Sequence, residues 1–359
     1  MRAVALAVLV AATIGLADRA SPPRRRTDAN LALEFLKSNF SLSASDLGDL
    51  SGDRPVSRSL DPTDRREVAT LGVIRLRVPA AFYLDQLRQI ADFKRNPSVL
   101  QIGVFGLPAR VENLRELTLE SGDVESLRRC HPGSCNLQLS SDAIGRFQRE
   151  IARPDPNHAA VTNRVIREIL VDLVNGYRTS GDDALMTYGD AKEPLSVARE
   201  FREMIRSRPA FLERFPLLEQ HLEQFPRAAR TDVDDTIYWS KEKLGPRVVL
   251  SVTHLAIARL SGQAPALFAA ASKQIYSSHY FDASLGLTVL LADGAADAPS
   301  SYLVYINRSR IDALGGVFGG LKRIIVRSRT RSAMASTLEE ARARVEQRFR
   351  DDQRKSPAG

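Results

Sequence analysis

Cysteine, tryptophan, methionine and histidine are all scarce: 2, 1, 4 and 5 residues in a chain of 359. So few cysteines exclude a disulfide-stapled small scaffold and the paired-cysteine zinc modules. Motif by motif, the absences continue. The chain has no G-x-x-x-x-G-K-[ST] loop to cradle phosphates, no dinucleotide-binding glycine pattern and no H-E-x-x-H pair. After the first seventeen residues, no stretch approaches the about 18 uninterrupted apolar residues that a membrane-spanning helix needs. What is present is ordinary for a folded protein. A hydrophobic content of 43% is enough to build a core, and a charged content of 26% does not suggest a disordered chain.

The start of the chain reads as an address. Met1 to Ala17, MRAVALAVLVAATIGLA, has one early arginine, an apolar run and small residues at its exit. That is the layout of a secretory signal, because the run is too short to cross comfortably a bilayer core of about 30 Å. Cleavage near Ala17 would leave a periplasmic or secreted protein, and the alternative is a retained anchor. Formal net charge is +8. Export makes nucleic acid the weakest partner for that charge, leaves an anionic membrane surface or an acidic polymer as alternatives, and is equally consistent with a charge that only maintains solubility.

Hydrophobic periodicity sets out the middle of the chain. After a basic leader and short helices (18–60), alternation at Ile74, Leu76 and Val78 predicts a strand. A helix carrying Phe82, Leu87, Ile90 and Phe93 follows, then a strand from Val99 to Phe105. From 106 to 235 the pattern turns helical, with Val161, Val165, Ile169 and Leu173 at steps of four. Strands are predicted again at Val248–Arg259, Leu267–His279, Ser284–Leu291 and Tyr302–Arg310. A long helix follows to about Arg350, with Leu338, Ala341, Val345 and Phe349 as its core stripe, and 351–359 form a tail. The expected fold is α+β: a curved antiparallel sheet gripping a long C-terminal helix, assembled from 61–105 and 236–350, with 106–235 as a mostly helical insertion.

This element order resembles the helix-grip architecture of the START and polyketide-cyclase-like superfamily over Leu60–Phe105 and Tyr238–Phe349. The strings WSKEK (Trp239–Lys243), SKQIYSSHYFDASLG (Ser272–Gly286) and YINRSRID (Tyr305–Asp312) are similar to those of exported bacterial proteins of no assigned function. The resemblance implies a sheet wrapped on its last helix, an apolar tunnel between them and a lipid or other hydrophobic ligand. It implies no fixed catalytic set.

Cys130 and Cys135 flank a Pro-Gly turn and are expected to form a structural disulfide, worth about 2 kcal/mol by loop entropy. His254 shares a strand face with Leu250, Val252 and Ala256, as either a satisfied core histidine or a ligand-facing one. Period two puts Tyr276, Ser278 and Tyr280 on one face, so adjacent Ser278 and His279 cannot pair as nucleophile and base. Tyr302 and Arg308 share a face of the last strand. Arg308 suits an anionic head group, or a salt bridge to Asp312 or Glu242. Arg323, Arg327 and Arg331 recur every four residues as a basic, membrane-facing stripe.

The acidic run Asp232–Asp235 lacks the oxygen spacing of a calcium loop, and His131 lacks neighbouring ligands, so neither metal nor cofactor is expected. The leading expectation is an exported, non-catalytic carrier of a hydrophobic or amphiphilic small molecule, held by His254, Tyr276, Ser278, Tyr280, Tyr302 and Arg308. The alternatives are an enzyme pairing His254 with Tyr276 or Tyr280, and an envelope interaction scaffold that docks through its insertion.

Overall fold

A computed structural model describes residues 28–151, 157–207, 215–227, 231–260, 266–293, 300–311 and 319–355, with the backbone alone described at 28–30, 266–267 and 319–329. The signal-like segment and 356–359 lie outside these residues, whereas 351–355, expected as a disordered tail, are helical. Helices α1 (Asp28–Phe40) and α2 (Ala44–Ser51) lead into strands β1 (Val56–Leu60) and β2 (Glu67–Leu76). Helices α3 (Ala80–Arg88) and α4 (Ile90–Phe93) connect to β3 (Val99–Val104). The insertion holds α5 (Ser121–Leu127), α6 (Ser141–Ile151), α7 (His158–Ser180), the two-residue strands β4 (Thr187–Tyr188) and β5 (Leu195–Ser196), α8 (Val197–Arg206) and α9 (Pro216–Gln224). A five-strand meander follows: β6 (Val233–Leu244), β7 (Arg247–Arg259), β8 (Ala266–Ser277), β9 (Phe281–Ala292) and β10 (Ser301–Ile311), then α10 (Gly319–Lys355).

Eight strands form one antiparallel sheet in the order β1-β2-β10-β9-β8-β7-β6-β3. The fold is therefore α+β, with a large curved antiparallel sheet and a long C-terminal helix packed on it. The meander makes the middle of the sheet, and N-terminal strands supply both rims. Local register shifts, such as the one between Val252 and Thr253 in the β7–β8 pairing, bend the strands.

Both faces of the sheet are apolar and both are covered, which is why its strands read as nearly continuous hydrophobic runs. On one face Ile74, Leu255, Leu290 and Leu303 pack with Tyr83 and Leu84 of α3 and with Met334, Leu338 and Val345 of α10. Phe349 continues the α10 stripe, lying edge-on to Phe82 with ring centroids 4.9 Å apart. On the other face Val73, Val252, Ala271, Leu287 and Val304 join Phe147, Leu170, Phe201 and Leu222 of the insertion in one continuous cluster.

Strand β6 is where sequence patterning fell short. It was not expected, because acids and lysines at its two ends break the apolar alternation around Ile237–Trp239. The expected disulfide is formed: Cys130 and Cys135 are bonded across a Cα–Cα distance of 4.5 Å, with Gly133 at φ +82° in the turn.

Helix α10 approaches β2 at Gly72, where a Cβ would lie 2.6 Å from Leu338 Cδ1 and 2.8 Å from Met334 Cγ. Those atoms end flexible side chains and can partly yield. Gly72→Ala is expected to lower stability by about 1–3 kcal/mol, the usual cost of overpacking a core, as read by urea unfolding. An unchanged midpoint would show that α10 does not pack this closely.

Candidate metal centre

Two paired strands and one helix converge on a buried polar cluster. Register places Ile237 of β6 opposite His254 of β7, so Asp235 is the diagonal neighbour of His254. Helix α9 opens with Pro216 in its first turn, and its buried positions are Leu218, His221 and Leu222. That i, i+3, i+4 stripe faces the sheet, with a histidine where an apolar residue would ordinarily sit. Tyr177 ends the buried stripe of α7, and Lys273 of β8 lies directly across from His254.

The geometry centres on one carboxylate oxygen. His221 Nε2 and His254 Nε2 each lie 2.8 Å from Asp235 Oδ1. His254 Nδ1 is 2.9 Å from the Tyr177 hydroxyl. Both imidazoles are fully buried, and the Asp235 side chain is 25% exposed. For both rings to donate to Asp235, each Nε2 must carry its proton. His254 Nδ1 then accepts from Tyr177, whereas His221 Nδ1 is buried without a hydrogen-bond partner. Phe225 closes over the group, with its ring centroid 4.5 Å from that of His254, 5.1 Å from Tyr177 and 5.7 Å from His221. Only glycine fits at 181, at φ +63°, since a Cβ there would fall 2.0 Å from the Phe225 carbonyl oxygen.

Electrostatics follow from burial and pairing. Burial would raise the Asp235 pKa, but hydrogen bonds and charge from His221 and His254 outweigh it and bring the value down to about 2. Burial lowers the His254 pKa against the opposing pull of Asp235, which favours the neutral ring. It also drives the Tyr177 hydroxyl well above its ordinary value. Lys273 is fully buried and ion-paired with Asp182, and its Nζ lies 3.3 Å from the Leu222 carbonyl and 4.9 Å from the Phe201 ring centroid. Burial lowers its pKa, opposed by Asp182. Asp182 is taken up by Lys273, which leaves the Asp235 carboxylate facing the two imidazoles.

One donor atom from each of His221, Asp235 and His254 lies within 4.8 Å of the others. Two imidazole nitrogens and one carboxylate oxygen make the three-protein-ligand set of an open zinc site, and also the facial triad that suits ferrous iron. With metal–ligand bonds of about 2.0–2.2 Å, neighbouring donors of a tetrahedron stand about 3.3 Å apart. The hydrogen-bonded contacts would therefore widen by about half an ångström on metal entry. Tyr177, already placed on His254 Nδ1, is the outer partner that orients a metal-binding imidazole.

Of the residues expected to hold a ligand, only His254 belongs to this cluster, joined by Asp235 from the acidic run. Tyr276 is buried edge-on to Tyr188, with no hydrogen-bond partner for its hydroxyl. Ser278 Oγ accepts the Leu250 N–H at 3.0 Å. Tyr280 stands at φ +69° in the β8–β9 turn, so the period-two reading does not reach it. The Tyr302 hydroxyl is pushed up to about 12 by burial and by Asp293. Arg308 is buried against Glu67, with Nη1 donating to the Met204 carbonyl at 2.6 Å and Nη2 to Ser207 Oγ at 2.7 Å. Its counterion is therefore Glu67, whereas Glu242 is taken by Lys94, and Asp312 lies outside the described residues. Both ring nitrogens of His254 are engaged by Tyr177 and Asp235, so the pairing with Tyr276 or Tyr280 is not formed. Arg323 and Arg327 lie outside the described side chains, and Arg331 is exposed.

Tyr276, Tyr302 and Arg308 lie on the insertion side of the sheet, opposite α10. A cavity on this side, lined by Leu222, Ala271, Leu285, Leu287, Ile306 and Arg308, has a volume of about 10 Å³, room for one water. His221, Tyr177 and Lys273 escaped the sequence reading, and Asp235 was weighed there only as part of an acidic run unsuited to calcium. The available signals were a histidine within an apolar helix stripe and a lysine within an apolar strand. No family model, curated protein or solved structure matches the chain.

Asp235 also makes the cluster sensitive to acid. Its folded pKa lies below the unfolded one, so its stabilisation is complete above about pH 4 and is lost as pH falls towards 2. The shift corresponds to about 2 kcal/mol. Asp235→Asn is expected to be less stable than the parent by about that amount at neutral pH, with the gap closing between about pH 4 and pH 2. Urea unfolding across that range checks it, and a gap independent of pH would contradict it.

Proposed function

We propose that this protein binds a divalent transition-metal ion in an exported, oxidising compartment. The observation that carries the reading is the convergence of two fully buried imidazoles on one partly exposed carboxylate, with Tyr177 orienting one ring from behind. Hard cations such as calcium or magnesium take six or more oxygen ligands, and this set offers two nitrogens and a carboxylate. The burial of both rings and the cover provided by Phe225 suit retention of an ion more than turnover of a substrate. The Cys130–Cys135 disulfide is compatible with export. Among the described residues no helix is long and apolar enough to cross a membrane.

The test is native mass spectrometry of the purified chain with zinc, cobalt, nickel or calcium added. Expected is one zinc, cobalt or nickel ion per chain, no stoichiometric calcium, and loss of the ion in His254→Ala and Asp235→Asn. A parent protein that retains none of the transition ions would overturn the reading. The same spectrum tests the carrier reading drawn from the tyrosine-rich strands, because a bound amphiphile would appear as added mass on the protein isolated without metal.

A further inference from the structure

The three donors are not equally anchored. Asp235 and His254 stand on β6 and β7, whose pairing runs unbroken from Val233 opposite Ala258 to Leu244 opposite Arg247. His221 stands on α9, a helix of nine residues, shorter than the about 12–15 that an isolated helix needs to be even marginally stable in water. Among the contacts that hold it to the sheet are those of Phe215, Leu218 and Leu222, all buried, and two adjacent polar contacts. One is His221 Nε2 to Asp235, and the other is Lys273 Nζ to the Leu222 carbonyl. Without an ion, the first is a single hydrogen bond to a carboxylate that His254 shares. If α9 lifts away, Asp235 keeps His254 as a partner, and His221 Nδ1, unpartnered in the docked state, gains water. Phe225, which follows α9, would lift with it and uncover the Tyr177 and His254 rings.

We infer that the bound ion is the clasp between α9 and the sheet, so that metal occupancy is converted into docking of this helix. This rests on the metal-binding reading above. An ion coordinated by His221, Asp235 and His254 ties the helix to two strands through one centre. The helix then cannot leave without breaking a metal–nitrogen bond. Conversely, loss of the ion frees α9 and Phe225 and exposes the apolar stripe that they cover, while the strand pairing beneath stays intact.

Hydrogen–deuterium exchange on the full chain, with excess zinc or with chelator, tests this. A ligand at about 100 times its Kd suppresses openings incompatible with its binding by about 100-fold. Amides of Leu217–Gln224 are therefore expected to exchange at least about tenfold more slowly with zinc, with β8 and β9 little changed. In His221→Phe, which keeps an apolar side chain on the stripe, zinc should leave α9 exchange unaltered. If the parent chain retains zinc with α9 exchange unchanged, the clasp is overturned and the metal reading stands. If His221→Phe still shows the zinc-dependent slowing, the clasp is likewise overturned. If the parent chain binds no zinc, cobalt or nickel, both fall together.

Discussion

A sheet whose two faces are both greasy must be covered twice, and the architecture follows from meeting that constraint. Helices α3, α4 and α10 take one face, with Met334 and Leu338 seated over Gly72. The second cover comes largely from the middle of the chain, between β3 and β6, strands that lie side by side in the sheet, with α1 and α2 adding Leu36 and Leu50 to the same cluster. The insertion thus leaves and returns at neighbouring strands. It shares one buried cluster with the sheet, so the helices at 106–235 and the strands form a continuous core.

Covering the second face also buries polar groups, and each has to find a partner there. Arg308 and Glu67 join β10 to β2, and Arg310 reaches Glu200 of α8. Lys273 meets Asp182, and His254 meets Asp235 and Tyr177. A buried charge deprived of its partner costs several kcal/mol, so these pairs fix which helix lies over which strand even where their net contribution to stability is small. The His221–Asp235–His254 group differs from the others in its chemistry. It brings two imidazoles to one carboxylate, and one of the rings is supplied by a short helix.

Much of the sheet was legible in the order of residues, because alternation is a local signal. Ile74, Leu76 and Val78 marked β2, and the dense β-branched and aromatic run from Tyr302 marked β10. The long steps of four marked α7, and the spacing of Cys130 and Cys135 marked the disulfide. Strand β6 was not legible, since Asp234, Asp235, Lys241 and Lys243 hide a short apolar centre. With β6 went Asp235. The cluster joins residues 177, 221, 235, 254 and 273, and no local spacing carries that information. A salt bridge was legible as one use of Arg308, but its acid was not, because Glu67, the partner across the β2–β10 pairing, is remote in the chain. Likewise, the tyrosines suited a tunnel wall because period two assigns a face without saying which helix layer will cover it.

The wiring of the sheet has a consequence for how the chain can be made. Strands β1 and β2 are synthesised early as a hairpin, yet the outer flank of β2 is completed only by β10, when nearly the whole polypeptide exists. Until then a strand of ten residues presents an open hydrogen-bonding edge to its surroundings, the situation that favours pairing with a foreign chain. Folding in step with synthesis cannot close this sheet. A nascent chain released before β10 keeps an adhesive flank at β2, so the terminal strand governs whether unfinished copies stay apart.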